Sequence, residues 1–121
     1  MAAPNLVNVT TITAKSTQGD LTTTVTTEFL ANAAASGKVF KVNSILVANI
    51  DGTNSADASV FITKSGGSPI AIASTIAVPA DSTLTVIDKN TAIYLEEGDN
   101  IKAGASADSD LVITINYEEL S

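Results

Sequence analysis

The chain has no cysteine, no histidine and no tryptophan. Without cysteine there is no disulfide and no thiolate metal site, so the fold stands without covalent staples. Without histidine or cysteine, the commonest bases and nucleophiles of covalent catalysis are missing. Aromatic residues make up only 4% of the chain. Basic residues are equally scarce: six, all lysine, against 13 acidic residues, for a net charge of −7. Six scattered lysines cannot displace the counterions of a nucleic-acid polyanion, nor do they make a patch for an anionic membrane. Neither partner is expected, and the acidity reads as a device for solubility. Long apolar runs are absent too, none approaching the ~20 residues of a membrane-spanning helix. The opening MAAPNLVNVTTITAK lacks the basic leader and apolar block of a signal peptide.

What is present is Ala, Val, Ile, Ser and Thr. At 121 residues and 45% hydrophobic content, one domain buries roughly two thirds of its unfolded surface, enough for a single core. β-branched side chains favour a pleated surface over a helix. Residues 6–15 are extended in character, an edge strand or an arm, and Leu6, Val7, Val9 and Ile12 are the apolar residues with which such an arm would make contact. Gln18-Gly19-Asp20 reads as a turn. Residues 21–29 alternate, with Leu21, Thr23, Val25, Thr27 and Phe29 on one face. Residues 30–38 read as a loop with at most one helical turn. Residues 39–49 form a long strand, apolar on both faces at its centre and therefore interior. Turns follow at 51–55, 65–68, 79–82, 96–99 and 108–110, separating short strands, one of which is expected to end at Thr75 with another running to Pro79. Leu111, Ile113, Ile115 and Tyr117 form the clearest inward row. This rhythm predicts an antiparallel β-sandwich, a jelly roll of about eight strands, with residues 1–15 as arm or edge strand and 16–121 as the single domain.

The pattern offers little chemistry. No Ser-x-x-Lys spacing occurs, and the phosphate-loop pattern fails at Gly37-Lys38, where Val39 follows and Asn32 holds the first glycine position. Glu96, Glu97 and Asp99 are the candidates for paired acid–base work by two carboxylates, and they flank Gly98 in a tight turn. Asp51, Asn54 and Asp57 are the candidates for calcium ligation, together with the pair Asp108 and Asp110. Neither set matches the calcium-loop spacing, and turn formation accounts for both. No catalytic residue, cofactor or resident metal is expected. Phe29, Phe40 and Phe61 sit in strand patterns and are assigned to packing. Tyr94 and Tyr117 suit a rim, with the hydroxyl in water.

Four segments together carry a resemblance: MAAPNLVNVTTI, SGKVFKVNSILVANIDGTNSAD, VPADSTLTVIDKNTAIYLEEGDNI and the ending YEELS. The chain resembles, over nearly its whole length, small jelly-roll virion structural proteins of tailed phages that infect marine cyanobacteria. The resemblance implies a non-enzymatic particle component, made in the host cytoplasm and residing in the virion. Its partners would be the major capsid protein or other virion proteins, and a homotrimer is expected. Capsid decoration, or cement, is the first role implied. The alternative is a neck, tail or fibre component that recognises a host-surface glycan, which would show an exposed aromatic residue or an ion at one end of the sandwich. A carbohydrate-binding domain unconnected with viruses is a third reading.

Overall fold

The computed structural model describes residues 6–121. Among these residues there are nine strands: β1 (Ile12–Asp20), β2 (Thr27–Ala31), β3 (Val39–Asn49), β4 (Ala56–Thr63), β5 (Ile70–Val78), β6 (Thr83–Ile87), β7 (Ile93–Leu95), β8 (Asn100–Ala105) and β9 (Leu111–Leu120). They form two antiparallel sheets packed face to face. The first runs β1-β9-β3-β6, with β7 also paired to β3, and the second runs β2-β8-β4-β5.

The topology is a folded strip. β4 pairs with β5, β3 with β6 and β7, β2 with β8, and β1 with β9, so the pairs nest inside one another. β6 and β7 lie end to end along β3 and act as one broken strand. The strip then rolls up, joining β3 to β9 and β4 to β8. This nesting and rolling is the jelly-roll connectivity.

Period-two alternation fills the space between the sheets. Leu111, Ile113 and Ile115 of β9 meet Ile45, Val47, Val60, Ile101 and Leu95, all fully buried. Each such side chain contributes about 1.5–3 kcal/mol on leaving water. β3 needs one correction to keep its apolar side inward. A bulge between Val42 and Ser44 inserts Asn43, so burial passes from Phe40 and Val42 to Ile45 and Val47.

Three local readings of the sequence are overturned. Gln18-Gly19-Asp20 is the end of β1 and not a turn. A Cβ on Gly19 would lie 2.6 Å from the Phe29 ring, so the glycine is there for a close approach. Residues 21–26 are irregular instead of a strand, because Leu21 drops into the core and the segment behind it crosses the outer face of β8. A Cβ on Gly104 would lie 2.1 Å from Val25 Cα. Thirdly, the expected break at Thr75 is a bulge inside a single strand. Thr75 adopts φ 47°, and its N–H donates to Ser59 Oγ at 3.0 Å.

Candidate interaction surface

The proposed arm divides at Thr10. The N–H groups of Thr10 and Thr11 both donate to the Ser121 carbonyl, at 2.8 and 2.9 Å, and the Ser121 N–H returns a bond to Thr11 O at 2.9 Å. Beyond that anchor Ile12 enters β1, so Ile12 and residues 13–15 belong to the sheet and the boundary at residue 15 falls inside a strand. Leu6, Val7 and Val9 precede it. Val7 is 92% exposed and Leu6 58%. The portion of the arm at residues 1–5 lies outside the described residues.

β1 is an edge strand, and it differs from the other edges. Its nine residues pair with β9 in unbroken register from Ile12↔Leu120 to Asp20↔Val112. β2 carries a bulge at Phe29, β6 a register shift, β7 has three residues, and β5 is bulged twice. Bulges and shortness blunt an edge against further pairing. A charged side chain does so too, and β1 has Lys15. Yet Lys15 Nζ bonds Glu119 Oε2 across the strand at 2.8 Å, where Lys38 joins the same carboxylate at 2.7 Å. Lys15 and then Lys38 hold the Glu119 carboxyl below its ordinary value, and the Lys15 ammonium is raised in turn. The lysine's charge is thus tied back onto its own sheet, leaving Asp20, exposed at the far end of β1, as the other charge on this edge.

The remaining sequence candidates make bonds within the loops and strands that carry them. Asp51 accepts from the Thr53 N–H at 2.8 Å and from the backbone and side-chain amides of Asn54 at 3.3 Å. Those donors keep its carboxyl below the usual range. Asp57 lies on β4, opposite Ala77, and its N–H donates to Ser106 Oγ at 2.8 Å. Among the described residues no three acidic side chains come together as a metal site, and no cavity opens.

Of Glu96, Glu97 and Asp99, the first and last meet on one cation: Lys64 Nζ bonds Glu96 Oε1 at 3.0 Å as well as Asp99. Glu97 Oε2 accepts from the Gly37 N–H at 3.0 Å. Asp99 is buried, bonded to Lys64 Nζ and to the N–H groups of Ser65 at 3.0 Å and Glu96 at 2.9 Å. Burial alone would push its carboxyl up; Lys64 and the two amides outweigh that, and it sits below its ordinary value. Phe40 packs on Tyr117 with ring centroids 5.2 Å apart, so Tyr117 belongs to the core margin, whereas Tyr94 is 43% exposed on β7.

Sequence reasoning passed over two buried asparagines. Asn32 donates its amide to the carbonyls of Lys38 at 2.8 Å and Leu95 at 3.1 Å. Asn49 does the same for Asn54 at 3.0 Å and Val78 at 2.9 Å. The available signal was an asparagine at each end of a strand-to-loop junction, a residue type that bonds neighbouring backbone. No protein-family model matches the chain, and no characterised protein matches it in sequence.

Proposed function

We propose that this protein is a structural component of a tailed-phage particle, a decoration or cement protein that docks as a homotrimer on a pre-formed shell. The observation that supports this most is the long, regular β1 edge beside the exposed Leu6 and Val7. An open edge offers a row of unpaired backbone donors and acceptors to an extended segment. An apolar lead-in adds contact area that does not depend on charge. In seawater-like salt electrostatic reach falls to about 4 Å, between its values at physiological and molar salt, so apolar contact and backbone pairing are the forces that remain. The resemblance to cyanophage virion proteins points the same way.

Removing residues 1–9 leaves the Thr10 and Thr11 anchor intact and tests the docking. The truncated chain is expected to unfold at the same temperature as the full chain and to lose co-sedimentation with shells of the same phage's major capsid protein. Undiminished co-sedimentation would show that these residues do not dock it. The glycan-binding alternative called for an aromatic residue or an ion at one end of the sandwich. Tyr94, exposed on β7 beside Leu95 at the Asn32 end, is the residue that fits that reading, and glycan-array binding lost in Tyr94→Ala would support it.

A further inference from the structure

The outer face of the first sheet changes character along its length. Opposed residues of paired strands share a face, and the register places Glu118 of β9, Lys41 of β3 and Tyr94 of β7 side by side in one row. Phe40 and Leu95, one position away on the same strands, are buried in the core, so the row faces outward. Glu118 and Lys41 stand directly opposite each other, yet they form no ion pair. The ion pairs among the described residues join Lys15 and Lys38 to Glu119, and Lys64 to Glu96 and Asp99. Glu118 Oε1 accepts instead from the side-chain amide of Asn43, the residue inserted by the β3 bulge, at 2.8 Å. Among the described residues the Lys41 ammonium and the Tyr94 hydroxyl have no hydrogen-bond partner. Further along the same face, Leu46, Ala48, Thr83, Thr85, Val112 and Thr114 offer neither a charge nor an aromatic ring.

We propose that this row binds a neutral sugar, with a pyranose ring stacked on Tyr94 and its hydroxyl groups bonded by Lys41 and Glu118. Tyr94 is 43% exposed, and its ring presents an apolar plane with a polar tip, which suits the C–H face of a pyranose. A sugar hydroxyl both donates and accepts. Lys41 supplies only donors and the second oxygen of Glu118 only an acceptor, so together they serve neighbouring hydroxyls. Side by side the two cancel each other's charge, and the net charge of −7 repels an anionic sugar. Strands lie about 4.8 Å apart, so the row spans about 10 Å, the length of a disaccharide. All three groups stand on strands, and the Asn43 amide already fixes the Glu118 carboxylate, which lowers the ordering cost of binding. Among the described residues no cavity encloses the ligand, so single sugars are expected to bind weakly and many copies on one particle to bind by avidity.

The site rests on the glycan reading above, and the experiment separates the two. The probes are the methyl pyranosides of glucose, galactose, mannose and N-acetylglucosamine, titrated into the full chain labelled with nitrogen-15. At least one is expected to shift the amide resonances of Lys41, Asn43, Tyr94 and Glu118 together and saturably. Tyr94→Ala should weaken that binding by about tenfold, with the β-sheet circular dichroism unchanged, and Tyr94→Phe, which keeps the ring, should restore most of the loss. Lys41→Met and Glu118→Gln should each weaken it. The methyl glycoside of glucuronic acid should bind less tightly than that of glucose, and a tighter uronate overturns the assignment to a neutral sugar. Shifts as large in Tyr94→Ala as in the wild type, or confined to other parts of the protein, overturn this site and leave glycan recognition standing. No shift with any probe overturns the site, and a blank glycan array overturns the glycan reading with it. Shell docking, tested by removing residues 1–9, uses none of these residues and can fail alone.

Discussion

The two ends of the sandwich use the same anchor but different electrostatics. Each has a buried asparagine that ties two carbonyls of neighbouring segments, Asn32 at the end where β7 runs into β8 and Asn49 at the end where β3 leaves for β4. At the Asn32 end the acids are compensated. Lys64 reaches into the turn to Asp99, and Lys15 and Lys38 share Glu119. At the Asn49 end Asp20, Asp51, Asp81, Asp108 and Asp110 occupy the loops and strand ends with no lysine among them. There amide N–H groups do the work of the cations. Thr53 and Asn54 bind Asp51, and Thr23 donates to Asp108 Oδ1 at 2.8 Å. One end is held by ion pairs around buried Asp99 and half-buried Glu119, the other by backbone capping in water. Their sensitivities should differ accordingly.

The largest effect is expected at the ion-paired end. Asp99→Ala strands the N–H groups of Ser65 and Glu96 and removes the buried partner of Lys64, which keeps only the exposed Glu96, a loss of about 3 kcal/mol. For a domain of this size thermal unfolding should drop by roughly 10 °C. A drop no larger than that of an exposed loop substitution would erase the contrast. Next is Gly104→Ala, which sharpens it from the other end. The new methyl meets Val25 backbone and must lift residues 22–26 off β8, at about 2 kcal/mol. Hydrogen exchange should accelerate at the Ala105 amide, which donates to Thr22 O at 2.8 Å, and stay unchanged at Ser65 and Glu96.

Acid offers a third comparison. Asp99 and Glu119 have folded-state values held below those of the unfolded chain. Their contribution is therefore complete above the ordinary carboxylate range near 4, and it is lost as pH falls through the lower folded values. Urea unfolding at pH 6, 4 and 3 should show stability falling only at the acid end of that series. Asp99→Asn should flatten the fall, and an equally steep acid limb in that variant would remove Asp99 as its source. The smallest effect belongs to Asp81→Asn. Asp81 is exposed, with φ 60°, a conformation asparagine tolerates. Removing one charge from the acidic end should change stability by less than about 0.5 kcal/mol, with a gain that shrinks as salt is added.

The sequence was most readable where tertiary contacts agreed with local pattern. Residues 39–49 and the inward row of β9 alternate because both strands lie in the middle of their sheet, and the bounds of β3 follow directly. Reading failed where a contact between distant residues decided the outcome. Gly19 looks like a turn residue until Phe29 is seen against it. The alternation of residues 21–29 is genuine, but Leu21 is drawn into the core and Val25 lies over Gly104, so the segment bends away from a ladder it could have joined. The bulges in β3 and β5 leave no mark in a single strand, because they describe a mismatch between two. Of the interaction surface, the apolar lead-in before β1 was visible in the sequence. The differing regularity of the four edges was not, since it exists only once partners are paired.

The nested pairing also sets the timetable of synthesis. Ile12 must wait for Leu120, so β1, made before the other eight described strands, is among the last to be joined. Until then β1 travels with both sides bare, and most of the ladder awaits residues still being added. Contacts so far apart along the chain make for slow folding, and a crowded cell gives such a chain many wrong neighbours before β9 arrives.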